Sequence, residues 1–151
     1  MKRTVKAQAL PELACACATV RRAARLVTLL YARELAPRIE PAQYALLTAL
    51  EHIPGCTQTT LGRVLGLDKT TLSRNLLVLK KTGWIEPGVT DDLRERGYRL
   101  TQLGEAELAA SRPAWKRAQR KLRAAMKQGE WESTFAMLAS LTEAARKAAL
   151  Q

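Results

Sequence analysis

The chain alternates long stretches, in which hydrophobic residues recur every three or four positions, with short segments rich in Pro and Gly. The apolar positions of the first stretch are Leu13, Cys17, Val20, Ala24, Val27 and Tyr31. Such spacing puts side chains on one face of an α-helix. Pro11 and Glu12 suit a first helical turn, and Pro37 cannot continue a helix. We therefore predict a helix over residues 11–36.

Three shorter helices are predicted between Pro41 and Gly83. They begin at Pro41, Thr57 and Asp68, which are residue types suited to helix N-termini. Their apolar positions are Tyr44, Leu47, Leu50, Leu61, Val64, Leu65, Leu72, Leu76 and Leu79. Only Gly66 and Leu67 separate the last two helices, and this short connection predicts a helix-turn-helix.

After Gly83 the helical spacing is interrupted. Trp84-Ile85-Glu86 and Tyr98-Arg99-Leu100 are short strand-compatible segments separated by Pro, Gly and Asp, which predicts a small hairpin. The helical pattern returns from Thr101 to Gly129, and a last helix places its apolar residues on one face. The apolar positions of these two helices are Leu108, Trp115, Leu122, Met126, Trp131, Phe135 and Leu138. The predicted fold class is mainly α with a small β-hairpin wing (α+β).

Charge indicates the kind of partner. The chain has 25 Lys and Arg against 14 Asp and Glu, a net charge of +11 and a pI near 10.1. This balance favours a polyanion, with nucleic acid ahead of an anionic membrane. No stretch approaches the ~20 apolar residues that cross a bilayer, so we expect no membrane span. Charged residues and Pro11 interrupt any signal-peptide core, and three Cys in no framework spacing fit a reduced compartment, so we expect a cytoplasmic protein.

The sequence offers little for catalysis. His52 is its only His, which leaves too few parts for a His-based metal site or a catalytic triad. Phosphate-binding Gly loops are also absent from the sequence. We expect neither an enzyme nor a cofactor or metal.

The fourth helix carries the candidate chemistry. Opposite its apolar positions it presents Lys69, Thr70, Ser73, Arg74, Lys80 and Lys81. A helix that enters the major groove of DNA needs cations for phosphates and short polar groups for base edges. The predicted hairpin adds Arg94, Arg96 and Arg99, which a wing would bring to the same duplex. The alternative is an ordinary solvated helix face.

The segments TQTTLGRVLGLDKTTLSRNLLVLKKTGWIEPG and TDDLRERGYRLTQLG resemble the multiple antibiotic resistance regulator (MarR) family. The resemblance implies a winged helix-turn-helix regulator, commonly a repressor, that binds pseudo-palindromic operators as a homodimer. It implies that Ser73 and Arg74 lie at recognition-helix positions that approach the DNA and that Arg94 and Arg96 enter the minor groove. The wing of this chain is shorter than the family's, so its contacts stay open. The candidate contacts to double-stranded DNA are Thr57, Gln58, Lys69, Thr70, Thr71, Ser73, Arg74, Asn75, Lys80, Arg94, Arg96 and Arg99.

The ends of the chain predict a homodimer. The first and last helices offer more apolar surface than the central module can cover. We predict one domain over residues 1–151, with a winged-helix lobe at 41–101 flanked by dimerisation helices at 11–36 and 104–148. Two alternatives stay open: the terminal helices pack only within one chain, or the basic face serves a non-sequence-specific nucleic-acid or protein-interaction adaptor.

Regulation has two candidate sites. The family's usual effectors are small apolar or phenolic ligands, and we expect their crevice to be lined by Leu26, Leu30, Tyr31 and Tyr44. One branch of the family senses hydroperoxides through a Cys of the first helix near Tyr side chains. Cys17 and Tyr31, on one predicted face, resemble that arrangement, with Cys15 as a second candidate thiol, although a Cys that only packs is the alternative.

The spacing of the thiols limits what they can form. Residues two apart on a helix point to nearly opposite sides, so Cys15 and Cys17 are not expected to close a disulfide or share a metal. Cys56, beside Pro54-Gly55, is expected to be an incidental turn residue.

Overall fold

The computed structural model of the chain describes residues 15–89 and 97–149. Six helices and three strands lie within these residues. In chain order they are α1 (Ala16–Leu35), α2 (Pro41–His52), β1 (Cys56–Thr57), α3 (Gln58–Leu65), α4 (Lys69–Lys81), β2 (Ile85–Gly88), β3 (Gly97–Leu100), α5 (Gln102–Ala124) and α6 (Glu130–Ala149). The predicted mainly α fold with a small wing is confirmed.

Side-chain caps fix the helix starts that the sequence predicts. The Thr57 hydroxyl accepts a hydrogen bond from the Thr60 backbone N–H at 3.2 Å, at the start of α3. The Asp68 carboxylate accepts the N–H groups of Thr70 and Thr71 at 3.0 and 2.9 Å, at the start of α4. Between these helices Gly66 has φ +62°, a left-handed conformation that glycine adopts without strain. The α3–α4 turn is therefore encoded locally.

The three strands form an antiparallel sheet in the order β1-β3-β2. β2 and β3 are the predicted hairpin, with Glu86 opposite Arg99. β1 was not predicted, because a two-residue strand carries no recognisable alternation. It pairs Cys56 with Tyr98 of β3, so Cys56 is a buried strand residue and not a residue of the preceding turn.

The core is built mainly from leucines of five helices. Those almost completely excluded from solvent are Leu35, Leu46, Leu47, Leu50, Leu61, Leu72, Leu79 and Leu108. Val64, predicted on the apolar side of α3, is instead 54% exposed. α1 lies along α5, where the Glu34 carboxylate contacts Arg117 at 3.2 Å and also Lys121. α4 contacts the sheet through β2. α6 has no buried residue.

Within residues 15–89 and 97–149, no helix is both long and apolar enough to cross a membrane.

Candidate nucleic-acid interface and adjoining cavity

Helix α4 separates its side chains into a core face and a polar face. Leu72, Leu76 and Leu79 are buried, so residues on the other side of the helix point away from the core. We call this side the outward face of α4, and its exposed members are Thr70, Ser73, Arg74, Leu77 and Lys81. It combines short polar groups with cations, as an element that enters the major groove requires.

Helix α3 braces this outward face. The Gln58 amide Nε2 donates a hydrogen bond to the Ser73 hydroxyl oxygen at 2.7 Å. Beside this contact an open cleft of about 680 Å³ is bordered by Gln58, Lys69 and Tyr98, among others. We call the paired strands β2 and β3 the wing stem. The first turn of α3, the start of α4 and the wing stem therefore meet at one surface.

Three of the candidate DNA contacts have polar groups already engaged in helix structure. The Thr57 hydroxyl caps α3, and the Thr71 hydroxyl donates to the Asp68 carboxylate at 2.6 Å. The Asn75 amide Nδ2 donates to the Thr71 carbonyl at 2.9 Å. The hydroxyl and backbone N–H of Thr71, with the backbone N–H of Thr70, donate to Asp68 and lower the pKa of its carboxyl, and the Thr71 hydroxyl has the largest effect. Their geometry supports a role in positioning the helices, whereas Lys69, Thr70, Ser73, Arg74 and Lys80 are exposed.

The wing stem holds one candidate arginine in place. The Arg99 guanidinium pairs with the Glu86 carboxylate on the neighbouring strand at 2.7 Å. Arg94 and Arg96 lie in residues 90–96, outside the described residues. The geometry therefore bears on the stem of the predicted wing and not on its tip.

A second cavity, of about 640 Å³, lies behind α3. Its apolar walls include Tyr31 and Leu35 of α1, Tyr44 of α2 and Trp115 of α5. The rings of Tyr44 and Trp115 stack with centroids 6.0 Å apart and planes at 19°. Its volume is typical of a site for a small organic molecule.

Five polar residues also line this cavity. They are Thr48, Glu51, His52, Arg112 and Lys116. The Arg112 guanidinium is paired with the Glu51 carboxylate, and the His52 ring Nδ1 lies 2.8 Å from the Thr48 carbonyl oxygen. Burial raises the pKa of both Tyr31 and Tyr44, and their phenols, which are protonated at neutral pH, can donate hydrogen bonds. The cavity suits an aromatic molecule with an acidic or phenolic group.

The expectation for the lining of this cavity needs correction. Tyr31 and Tyr44 line it, but Leu26 and Leu30 are not among its lining residues. With about 100° per residue, Leu26 and Leu30 are turned far from Tyr31 on α1, whereas Leu35, four residues on, shares its face. Arg112, Trp115 and Lys116 were missed, because their proximity to α2 follows from tertiary packing across some sixty residues of sequence.

The thiols also differ from expectation. α1 begins at Ala16, and Cys15 is its N-cap with extended backbone angles, so Cys15 and Cys17 are not two residues of one regular helix. Both are exposed. Cys17 and Tyr31 are fourteen positions apart, about 21 Å along a helix, so the Tyr31 ring of the same chain cannot contact Cys17. Cys56 is buried, which raises the pKa of its thiol.

In the part of the chain that the structure describes, no three His, Cys, Asp or Glu side chains are grouped to hold a metal ion.

Comparisons with known proteins agree with this geometry. Residues 39–96 match the sequence model of the MarR family. The chain is 32% identical to the M. tuberculosis transcriptional regulator MosR, solved in complex with DNA, with a TM-score of 0.78 over 89% of this chain and 98% of that one. It is 27% identical to the PcaV transcriptional regulator from Streptomyces coelicolor, solved with its natural ligand, with a TM-score of 0.77 over 91% and 99%.

A probable transcriptional regulator from Pseudomonas aeruginosa is 29% identical to the chain, with a TM-score of 0.74 over 83% of this chain and 96% of that one. Comparison with curated protein sequences gave no match. The similarity to solved structures therefore extends over nearly the full length of these regulators, well beyond residues 39–96.

Proposed function

Because this chain belongs to the MarR family of transcriptional regulators, we propose that it acts in the cytoplasm as a homodimeric regulator that binds a pseudo-palindromic duplex operator and is released by a small effector. The observation that carries the proposal is the outward face of α4, where Ser73 and Arg74 are exposed and Gln58 of α3 donates a hydrogen bond to Ser73. The proposed function is binding and not catalysis. In this proposal residues 41–101 form the DNA-binding lobe.

The homodimer is supported by apolar surface at both ends of the chain. In α6, Phe135 is 55% exposed, and Leu138 and Leu141 are also exposed. In α1, Val20 and Val27 remain exposed although the helix lies along α5. A second copy would remove this surface from water. A two-fold dimer would also present two α4 helices about 34 Å apart, one turn of a palindromic duplex.

Arg74→Ala provides the direct test of sequence-specific binding. We expect it to weaken binding to the operator by about 1–3 kcal/mol, because an arginine that reads a guanine edge makes two charge-assisted hydrogen bonds. The operator is obtained by selection from a random duplex library and by footprinting of the DNA upstream of the coding region. Affinity is measured by fluorescence anisotropy at several salt concentrations.

The matched control is Lys127→Ala, which removes one exposed positive charge in the loop before α6, far along the chain from α4. It should leave operator affinity nearly unchanged. The unsubstituted chain should prefer its operator to bulk DNA by roughly a thousandfold or more. An equal Arg74→Ala loss on every sequence, with steep salt dependence and no such preference, would support the adaptor function instead.

Release by an effector is proposed to begin in the 640 Å³ cavity. Val64 and Leu65, at the end of α3, belong to its wall, and only Gly66–Asp68 connect them to α4. A ligand that displaces this end of α3 would move the outward face of α4 relative to the wing. The ligand lowers DNA affinity only by the amount that it prefers the displaced arrangement.

We expect Lys116→Ala to weaken the binding of small aromatic carboxylates by about 10- to 150-fold, because a charge-assisted hydrogen bond contributes roughly 1.5–3 kcal/mol. Salicylate and 4-hydroxybenzoate are suitable probes, and calorimetry gives their affinities. Lys127→Ala, which lies outside the cavity lining, should bind them normally. A panel of phenols and aromatic acids that neither binds nor changes operator affinity would rule out this effector class.

Oxidation of Cys17 is the second proposed release signal, supported by the exposure of its thiol. An organic hydroperoxide would transfer one oxygen atom to the sulfur, giving a sulfenic acid and an alcohol. We expect peroxide to lower operator affinity about 5- to 150-fold, the usual range of coupling between sites, and Cys17→Ser to abolish that response. Cys56 should stay unlabelled by maleimide, because its thiol is buried with a raised pKa. An identical response of the Cys17→Ser variant would contradict the proposal.

A further inference from the structure

The outward face of α4 carries one exposed apolar side chain among its polar and charged ones. Leu77 is 53% exposed, four residues after Ser73 and three after Arg74, so it lies on the same side of the helix. Its outward neighbours are the hydroxyl of Ser73 and the cations of Arg74 and Lys81. Leu77 forms a small apolar patch on this face, and Val78, which is 41% exposed, is turned about 100° around the helix from it. The patch therefore lies within the surface that the proposed function brings to DNA.

The floor of the major groove offers a specific partner for such a patch. Among the groups that base pairs present there, the thymine C5-methyl is the apolar one, and the others are hydrogen-bond donors and acceptors. A branched aliphatic side chain gains by covering a methyl group. Against cytosine or a purine it would remove water from polar atoms without replacing their hydrogen bonds. Leu77 can thus favour thymine without making any hydrogen bond.

We propose that Leu77 is a specificity-determining residue that contacts a thymine methyl in each half-site of the operator. This inference rests on the proposed DNA-binding function and names one base that the protein would recognise. Four residues, about 6 Å along the helix, separate Leu77 from Ser73, and successive base pairs are about 3.4 Å apart. The thymine therefore lies one to two base steps from the base read by Ser73 or Arg74.

Replacement of thymine by deoxyuridine tests this, because it removes the methyl group and leaves the base-pairing edge intact. Each thymine of the selected operator is replaced in turn, together with its symmetry mate. For the unsubstituted chain we expect one symmetric pair to weaken binding about 15-fold, from about 4-fold for each buried methyl-sized group. In Leu77→Ala that penalty should fall to nearly 1-fold.

The control is Leu103→Ala, which shortens an exposed leucine of α5 and should retain the full penalty. Circular dichroism verifies the fold of each variant, and alanine is the best helix former at position 77. Specific binding by the unsubstituted chain with no deoxyuridine penalty, or with the same penalty in Leu77→Ala, overturns the inference and leaves the proposed function standing. Failure to select any preferred duplex overturns the proposed function, and the inference with it.

Discussion

Phe135→Glu should convert the proposed homodimer into monomers and lower operator affinity by about 10²- to 10⁴-fold. Phe135 is exposed on α6 and makes an edge-on contact with the Trp131 ring, with centroids 5.1 Å apart. A carboxylate at this position would be buried without a partner on dimerisation, which costs several kcal/mol. Without the dimer, the two half-sites no longer bind as one linked unit, and that avidity is lost.

Sedimentation velocity measures the oligomeric state, and anisotropy measures the operator affinity. Met137→Glu is the matched control, because Met137 is 71% exposed and about 200° around the helix from Phe135. It introduces the same charge on another side of α6 and should leave the dimer intact. A Phe135→Glu variant that remains dimeric, or an unsubstituted chain that is monomeric at working concentrations, would show that α6 does not form the interface.

Gly104→Ala is expected to destabilise the protein by about 3 kcal/mol or more, because no room exists for a side chain. A β-carbon on Gly104 would lie 2.0 Å from the carbonyl oxygen of Trp84. That oxygen cannot move away easily, since it accepts the backbone N–H of Thr101 at 3.0 Å. The start of α5 is thereby held against the segment between α4 and β2. Thermal denaturation should show a Tm lower by roughly 6 °C or more.

Gly129→Ala provides the comparison. Gly129 has a positive φ, +81°, unlike Gly104, and a β-carbon at Gly129 meets no atom within 4 Å. This variant isolates the backbone strain, which costs about 1–2 kcal/mol. If Gly104→Ala is no more destabilising than Gly129→Ala, close packing against Trp84 is not the cause.

The sequence predicted those parts of the molecule whose causes are local. Helices α3 and α4 were predicted because Thr57, Gly66 and Asp68 act within a few residues of their own positions. The outward face of α4 followed from the same periodicity. β1 was missed because its partner Tyr98 is more than forty residues away and only pairing defines so short a strand.

The cavity was predicted only in part for a related reason. Tyr31 and Tyr44 were found because they lie on apolar faces of their helices. Arg112 and Lys116 were not found, since on a surface helix their charges look like those of any solvated residue. Their meaning comes from α5 lying against α2, which the helical spacing of either segment does not specify. The expectation that Cys15 and Cys17 point to opposite sides of one helix also failed, because α1 begins only after Cys15.

The hydrogen bond that Gln58 donates to Ser73 affects how the Ser73 hydroxyl can meet a base. Since the Ser73 oxygen accepts a hydrogen bond from the Gln58 amide, its own O–H remains available as a donor. In a major groove that O–H can donate to acceptors such as purine N7, guanine O6 or thymine O4. A substitution at Gln58 would thus alter base preference indirectly, by freeing the Ser73 hydroxyl to take another orientation.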